Sequence, residues 1–372
     1  MKYLNRRRLI TGTALGLASL AGATFLARRY GGSGSNSLST SSDYDQPVVP
    51  VIDAHCHISQ AMHSEFRSTM DRNQVRFSIS HGYWKGIDYD VATVSEIRTQ
   101  YSDRYAAFYA PMWGSTDPHY LKSKEPVTVT DQFLLATLPE ELQRFMKAGG
   151  ASALGLKLWR DIGARVHDEH GQILQLTDPR FAPVLKTAEA LGAIVSIHSC
   201  GTCQTLRDSL VARYPGIQFV YCHWGSSAGK LAELRKLLNR FPNVVLDTSP
   251  ASGWPTSKGY RQQEVHDFYV EFQDRLLLGT DFVETERTEC CDDLWWSCLY
   301  KSFWRYHQTS DLDFQLDDCN LGRWTGVGLS SDILKKIYWS NAYRFFRLDR
   351  VMPNLDLASG NDATVERRSS VG

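Results

Sequence analysis

The sequence predicts a (β/α)8 barrel, the TIM-barrel form of the α/β fold class. Short runs rich in Val, Ile and aromatic residues alternate with longer helical segments along residues 48–352. The chain is 42% hydrophobic with a formal net charge of zero, so it can bury a large core. An open, doubly wound sheet would place a glycine-rich phosphate loop after an early strand, and the sequence contains no such loop.

Eight strands are predicted from the β-rich runs and the turn residues that follow them. In chain order they cover residues 49–54, 75–80, 106–113, 151–159, 193–199, 217–224, 243–249 and 275–282. Thr137 and Glu140 form a capping-box pattern at a helix start. Asp178 precedes a proline, as an N-cap would, and Gly192 is placed to end a helix.

Residues 1–29 have the pattern of an export signal. Arginines precede an uncharged stretch at 9–27, and Ala-Gly-Ala at 21–23 offers a cleavage site. The order NRRRLI at 5–10 resembles the twin-arginine motif, which implies export to the periplasm by the twin-arginine machinery. The alternative is a membrane anchor formed by an uncleaved signal, although its three glycines make it a poor one.

Composition sets the other boundaries. Residues 30–47 are predicted to be a Gly/Ser-rich linker, residues 48–352 the barrel, and residues 353–372 a flexible tail. Residues 283–329 interrupt the step from the last strand to the last helix, and we expect this aromatic segment to form a lid over the mouth. The balanced charge gives no basic surface for nucleic acid.

The eight cysteines fit an exported chain. Cys56 and Cys222 lie in strand-like runs and are predicted to be buried thiols. Four others crowd one segment, where we expect at least one disulfide. They are Cys290, Cys291, Cys298 and Cys319.

Metal-binding residue types follow four of the predicted strands. His55 and His57 lie one residue apart after the first strand, so both side chains leave it on the same side. His198, His223 and Asp281 end the fifth, sixth and eighth strands. In a barrel these strand ends meet at one rim, where the chemistry of this fold takes place.

The alternation of side chains within a strand predicts which residues face the barrel axis. Asp53 shares the face of His55, so we expect both to point inward. Ile52, Ile197 and Leu278 are expected to face the surrounding helices.

These segments resemble the amidohydrolase superfamily, and within it the amidohydrolase-related group of barrels. The matching segments are IDAHCHI, GLKLW, IVSIHS, FVYCHWG, LLLGTDF and NAYRFFRL, in the family's order along nearly the whole barrel. The resemblance implies a divalent metal ion, usually zinc, which imidazole and carboxylate ligands suit. The implied ligands are His55, His57, His198 and Asp281. His223 is implied beside the ion as a catalytic or polarising residue.

A bound metal would make water acidic enough to react near neutral pH. Asp281 would then take the proton of the attacking water and pass it to the leaving group, while His223 serves the substrate oxygen. Lys157 ends the fourth strand and has three interpretations: the bridging carboxylated lysine of two-metal relatives, a partner for a substrate carboxylate, or the partner of an acid such as Asp247. We favour one metal ion per chain, with Lys157 binding the substrate.

Tryptophans at or beyond the strand ends and in the expected lid predict an aromatic mouth. They are Trp113, Trp159, Trp224, Trp254, Trp295 and Trp296. Trp224 and the cation Arg160 are predicted to bind a small, aromatic or carboxylated substrate. Three functions stay open: metal-dependent hydrolysis of a C–N or C–O bond, metal-dependent decarboxylation of an aromatic acid, and non-catalytic binding of a metal or ligand. We favour hydrolysis.

Overall fold

The structure is a computed structural model that describes residues 44–83, 85–113, 126–158, 162, 165–198, 204–250, 253–283, 293–315 and 323–353. The predicted export signal, most of the linker and nearly all of the tail lie outside these residues. In this part of the chain, none of the helices combines the length and the apolar character needed to cross a bilayer.

Nine parallel strands form one curled sheet, and together they account for all eight predicted strands. They are β1 (Val51–His57), β2 (Val75–Ser80), β3 (Tyr105–Tyr109), β4 (Ala153–Leu158), β5 (Ile194–Ile197), β6 (Phe219–Tyr221), β7 (Val244–Asp247), β8 (Leu276–Leu277) and β9 (Phe282–Val283). Their order is β8-β7-β6-β5-β4-β3-β2-β1-β9. A separate two-stranded sheet pairs Val127–Thr128 with Val166–His167.

The predicted eighth strand closes the sheet on itself. Its first part, β8, pairs with β7, and its last part, β9, pairs with β1. Between them the amide of Ala54 donates to the carbonyl of Leu278 at 2.8 Å. One run of chain is therefore hydrogen-bonded on both sides, which confirms the predicted barrel.

Helices cover the outside of this sheet. They are α1 (His63–Arg72), α2 (Ile87–Gln100), α3 (Leu138–Gly149), α4 (Ala182–Leu191), α5 (Gln204–Arg213), α6 (Leu231–Arg240), α7 (Gln262–Glu271), α8 (Asp293–Gln308), α9 (Ser331–Lys335) and α10 (Asn341–Phe345). A π-helical turn, Lys336–Ser340, joins α9 to α10.

The predicted helix boundaries are right in two cases and wrong in one. The Asp178 side chain accepts a hydrogen bond from the amide of Arg180, and Gly192 ends α4 in the left-handed region at φ +61°. Thr137 makes no cap hydrogen bond, because a π-helical segment, Phe133–Thr137, continues directly into α3. The helical backbone thus starts at residue 131, several residues earlier than the capping-box pattern indicates.

Apolar side chains fill the amino-terminal half of the barrel, and residues 339–352 cover them at that end. The strands contribute Ile52, Ala54, Phe77, Ile79, Ala106, Phe108, Leu154, Ile194, Val220, Val245 and Leu277, and the C-terminal segment contributes Trp339, Ala342, Phe346, Leu348 and Met352. Ile197 and Leu278 belong instead to the larger cluster that includes the helices, as predicted.

The predicted orientation of Ile52 and Asp53 is wrong. The register of β1 against β2 shifts between Asp53 and Cys56, which reverses the alternation within the strand. Ile52 therefore faces the interior. Asp53 points the other way and accepts hydrogen bonds from the hydroxyl groups of Thr280 and Tyr300.

The described part of the predicted lid is an outer helix of the barrel. Trp296 of α8 packs on Phe66 of α1, and His307 at its other end accepts a hydrogen bond from Tyr269 of α7. Helix α8 thus packs between α1 and α7 in the outer layer of helices, and a lid formed by residues 283–329 stays a prediction. Residues 284–292 and 316–322 lie outside the described residues.

The cysteines behave as predicted where the structure describes them. Cys56 and Cys222 are buried free thiols. Cys298 is disulfide-bonded, which agrees with the disulfide expected in this segment.

Candidate metal centre

Strand β1 places the rings of His55 and His57 side by side at the carboxyl end of the barrel. His55 Nδ1 lies 2.8 Å from the Asp247 carboxylate, and His57 Nδ1 lies 2.9 Å from the Gly82 carbonyl. Both partners can only accept, so each Nδ1 carries the proton and each Nε2 keeps a lone pair. The two Nε2 atoms lie 3.2 Å apart.

Asp281 approaches these two rings from the segment between β8 and β9, where the sheet closes. Its amide donates to the carbonyl of His55 at 2.8 Å, which fixes the carboxylate beside β1. One of its oxygens, Oδ1, lies 3.5 Å from the Nε2 atoms of both His55 and His57. Three donor atoms from two distant parts of the chain thus converge on one point.

The spacing of these three atoms fits a metal ion. Ligand atoms around a tetrahedral zinc ion lie roughly 3.3 Å apart, because zinc bonds to nitrogen and oxygen are about 2.0 to 2.1 Å long. The separations between the donor atoms of His55, His57 and Asp281 are 3.2 and 3.5 Å. Two imidazoles and a carboxylate are also a ligand set that zinc accepts.

The electrostatics favour the protonation states that bind metals. Burial, reinforced by the charge of Lys157, lowers the pKa of His55 well below its ordinary value. Burial alone would raise the pKa of Asp281, but electrostatic interactions with His223, His57 and Lys157 outweigh it, so this pKa lies below the ordinary value. A neutral imidazole therefore faces an ionised carboxylate.

His223 and His198 form a second pair next to the first. His223 Nε2 lies 3.1 Å from His198 Nδ1, and His223 Nδ1 lies 2.7 Å from the hydroxyl of Ser249. The ring of His223 is 4.7 Å from that of His55, and its Nδ1 is 4.0 Å from Asp281 Oδ2. The predicted residues therefore come together as a group of three and an adjoining pair.

The placement of His198 differs from that of the other predicted ligands. Among the described residues, the groups of potential donor atoms that lie within 4.8 Å of one another include His55, His57 and Asp281 but not His198. Because His198 Nδ1 faces His223, a bond from His198 to a metal would use its Nε2 atom.

His81 is a site residue that the sequence prediction missed. It is fully buried and stacks on His55, with 4.0 Å between the ring centres. Its Nε2 lies 2.9 Å from the Ala54 carbonyl. His81 directly follows β2, just as His198 follows β5, so its position after a strand was the available signal.

Lys157 lies beneath the histidines and is fully buried. Its ammonium group donates to the sulfur of Cys222 at 2.8 Å and contacts His81 Nδ1 at 3.1 Å. Within the described part of the chain its contacts are thus a thiol and an imidazole, not the Asp247 carboxylate that one interpretation named.

The tryptophans of the predicted aromatic mouth are buried where the structure describes them. Trp224 is fully buried, packs on Phe268 and Tyr269 of α7 and donates to the carbonyl of Thr248. These contacts lie on the side of α7, and the substrate-binding role of Trp224 stays a prediction. Trp113, Trp254 and Trp296 are buried as well. Arg160, Trp159 and the side chain of Trp295 lie outside what the structure describes.

Three solved structures share this fold over most of the chain. A putative 2-pyrone-4,6-dicarboxylic acid hydrolase from Pseudomonas putida has a TM-score of 0.52 and 12% identity and covers 81% of this chain and 98% of its own. A probable 2-pyrone-4,6-dicarboxylic acid hydrolase from Acinetobacter baumannii has a TM-score of 0.52, 14% identity and coverages of 80% and 100%. An uncharacterised TIM-barrel protein from Bordetella bronchiseptica has a TM-score of 0.50, 14% identity and coverages of 81% and 99%.

A search of curated proteins finds no match to the sequence. The sequence does match a protein-family model, which is described as amidohydrolase. The match covers residues 52–348, which include the strands, the paired histidines and Asp281. The chain therefore belongs to the amidohydrolase family.

Proposed function

We propose that the protein is a metal-dependent hydrolase that cleaves a C–N or C–O bond of a small amide, lactone or ester, with an aromatic or carboxylated substrate favoured. The observation that carries the proposal is the convergence of His55 Nε2, His57 Nε2 and Asp281 Oδ1, with both Nδ1 atoms already bound elsewhere. A rigid set of unprotonated donors costs little reorganisation when a cation enters.

His55, His57 and Asp281 would hold one divalent ion, with zinc favoured, and His198 would approach through Nε2. When bound, the ion supplies Lewis acidity and makes water reactive near neutral pH. Asp281 uses Oδ1 toward the histidines, which leaves Oδ2 to take a proton from the attacking water and pass it to the leaving group. The His198–His223 pair would hold the proton that serves the substrate oxygen.

The test is metal analysis of the purified protein together with a panel of lactones, amides, esters and aromatic acids. We expect one zinc per chain and turnover of a member of the first three classes, lost in a His55→Ala/His57→Ala variant. Carbon dioxide release from an aromatic acid without hydrolysis would instead make the protein a decarboxylase that uses the same residues. Metal binding without turnover of any compound in the panel would contradict the proposed activity and favour a protein that binds a metal or ligand without catalysis.

We also propose that residues 1–29 direct export to the periplasm through the twin-arginine route. The support is the arginine run ahead of an uncharged stretch. Replacing Arg6 and Arg7 by Lys should leave the protein in the cytoplasm on cell fractionation. Unchanged periplasmic recovery of that variant would contradict the proposal.

A further inference from the structure

The buried carboxylate of Asp247 contacts both His55, one of the proposed metal ligands, and His223. Its Oδ2 accepts from His55 Nδ1 at 2.8 Å. Its Oδ1 accepts from the backbone amides of His223 at 2.9 Å and Ser249 at 3.1 Å, and from the Ser249 hydroxyl. Three donors thus converge on Oδ1 and one on Oδ2, so both oxygens of the carboxylate are engaged as acceptors.

The Ser249 hydroxyl connects the Asp247 carboxylate to the ring of His223. Because its one proton is directed to Asp247, the Ser249 oxygen is left to accept from His223 Nδ1 at 2.7 Å. His223 then keeps its lone pair on Nε2, which accepts from His198 Nδ1. The position of every proton in this chain of contacts follows from the fact that an ionised carboxylate can only accept.

We propose that Asp247 is a positioning residue that sets the tautomers of His55 and His223 together, so that one carboxylate prepares both the metal ligand and the proton-carrying pair. This inference rests on the proposed function and goes beyond it by assigning a role to a residue outside the ligand set. Carboxylates behind ligating histidines commonly change metal affinity about 10- to 100-fold.

Asparagine at position 247 cannot reproduce both contacts. If its oxygen accepts from the amides of His223 and Ser249, its NH2 group faces His55 Nδ1, which must then accept. His55 would carry its proton on Nε2, where the metal should bind. If the amide is turned, the NH2 group opposes two backbone N–H donors instead.

The experiment compares Asp247→Asn with Ser249→Ala, which keeps the contact between Asp247 and His55 but removes the hydroxyl that donates to Asp247 and accepts from His223. Zinc affinity is measured by competition with a chromogenic chelator, and kcat on the best substrate of the panel. We expect Asp247→Asn to weaken zinc binding about 10- to 100-fold and to lower kcat. Ser249→Ala should leave zinc affinity within about threefold and lower kcat alone.

Thr248→Val is the packing control, because the Thr248 hydroxyl donates to Leu277 and not to the site. Unchanged zinc affinity in Asp247→Asn would overturn the inference while leaving the proposed function intact. Failure of the wild type to bind zinc would overturn the function itself. If Asp247→Asn does not fold, ¹⁵N NMR of histidine-labelled wild type decides: both rings must be protonated at Nδ1, and an Nε2–H form of either refutes the inference.

Discussion

At the scale of single residues, Asp281 and His223 share an uncommon backbone conformation. Both have φ +55°, in the left-handed region that costs a non-glycine residue roughly 1 to 2 kcal/mol. The strain is held by hydrogen bonds of their own amides, to the carbonyl of His55 for Asp281 and to Asp247 for His223. The conformation turns both side chains inward, just after β6 for His223 and just before β9 for Asp281.

Asp281→Asn should lower turnover by about two to four orders of magnitude, because the amide cannot take the proton of the attacking water. The fold should persist, since the backbone contact to His55 remains. Steady-state kinetics and thermal melting measure the two effects. Asp313→Asn is the matched control, an exposed aspartate that also has a positive φ of +49°. Near-normal turnover of Asp281→Asn would end its assignment.

The site residues could be predicted from sequence only where a strand end is easy to recognise. His55, His57 and Asp281 follow strongly apolar runs, and the structure brings them together. His81 follows a weaker run, and Ile52 was assigned to the wrong face because a local register shift leaves no mark in the pattern of apolar residues. Contacts such as that of Asp247 with His55 depend on the closed sheet.

At the scale of secondary-structure elements, the stretch between β8 and β9 passes very close to the site. A Cβ atom at Gly279 would lie 2.8 Å from the Cβ of His55 and 3.3 Å from that of Asp247. Contacts under about 3 Å force neighbouring atoms to move. The absence of a side chain at Gly279 therefore allows the closing strand to lie against β1 and β7.

Gly279→Ala should displace His55 and Asp247, cost about 1 to 3 kcal/mol of stability and weaken zinc binding. Chemical denaturation and chelator competition measure the two losses. Gly229→Ala serves as the comparison, because a Cβ there would make an ordinary contact of 3.7 Å with Lys258. Equal behaviour of the two variants would show that the close approach does not matter.

A buried carboxyl group between α2 and β3 should make stability depend on pH. Burial raises the pKa of Asp90 to about 8. A raised pKa contributes stability that is complete below the unfolded value of about 3.9 and is lost as pH rises through the folded value. Stability should thus fall from pH 4 to pH 8 by up to about 1.4 kcal/mol per pH unit from this group.

Asp90→Asn should remove this slope, since the amide oxygen can still accept from the amide of Ala110. Denaturation at pH 5, 7 and 9 would measure it against the wild type. Asp88→Asn, at an exposed position on the same helix, is the control. Parallel pH profiles of the wild type and Asp90→Asn would contradict the prediction.

The elements themselves were largely predictable, and the exceptions have physical causes. Alternating β-rich and helical runs were enough to locate all eight strands. The packing of α8 was not predictable, because a helix rich in tryptophan and tyrosine suits a lid and an outer packing layer equally well. Its contacts with Phe66 and Tyr269 follow from the folded arrangement of the helices.

At the scale of the whole molecule, the proposed ligands lie on both sides of the seam that closes the barrel. His55 and His57 belong to β1, and Asp281 immediately precedes β9, which pairs with β1. An ion bound by all three would connect the start of the barrel to its end. Metal binding and the stability of the closed sheet should therefore be linked.

Removing the metal should lower the melting temperature. A ligand at about 100 times its Kd stabilises the folded state by about 2.7 kcal/mol, which corresponds to a shift of several degrees. Melting curves with a chelator and with zinc measure the shift, and His55→Ala/His57→Ala should show none. Identical melting curves for the metal-loaded and the chelated wild type would show that metal binding does not stabilise the closed sheet.

The apolar side chains below the histidines limit how a small molecule can reach the site. Trp339, Phe346 and Met352 seal the end opposite the site together with Ile52 and Phe77. In the described part of the chain the barrel is therefore closed at this end, so a small molecule bound at the proposed site would enter and leave at the carboxyl end. If the proposed hydrolysis takes place there, a product that dissociates slowly would delay the binding of the next substrate.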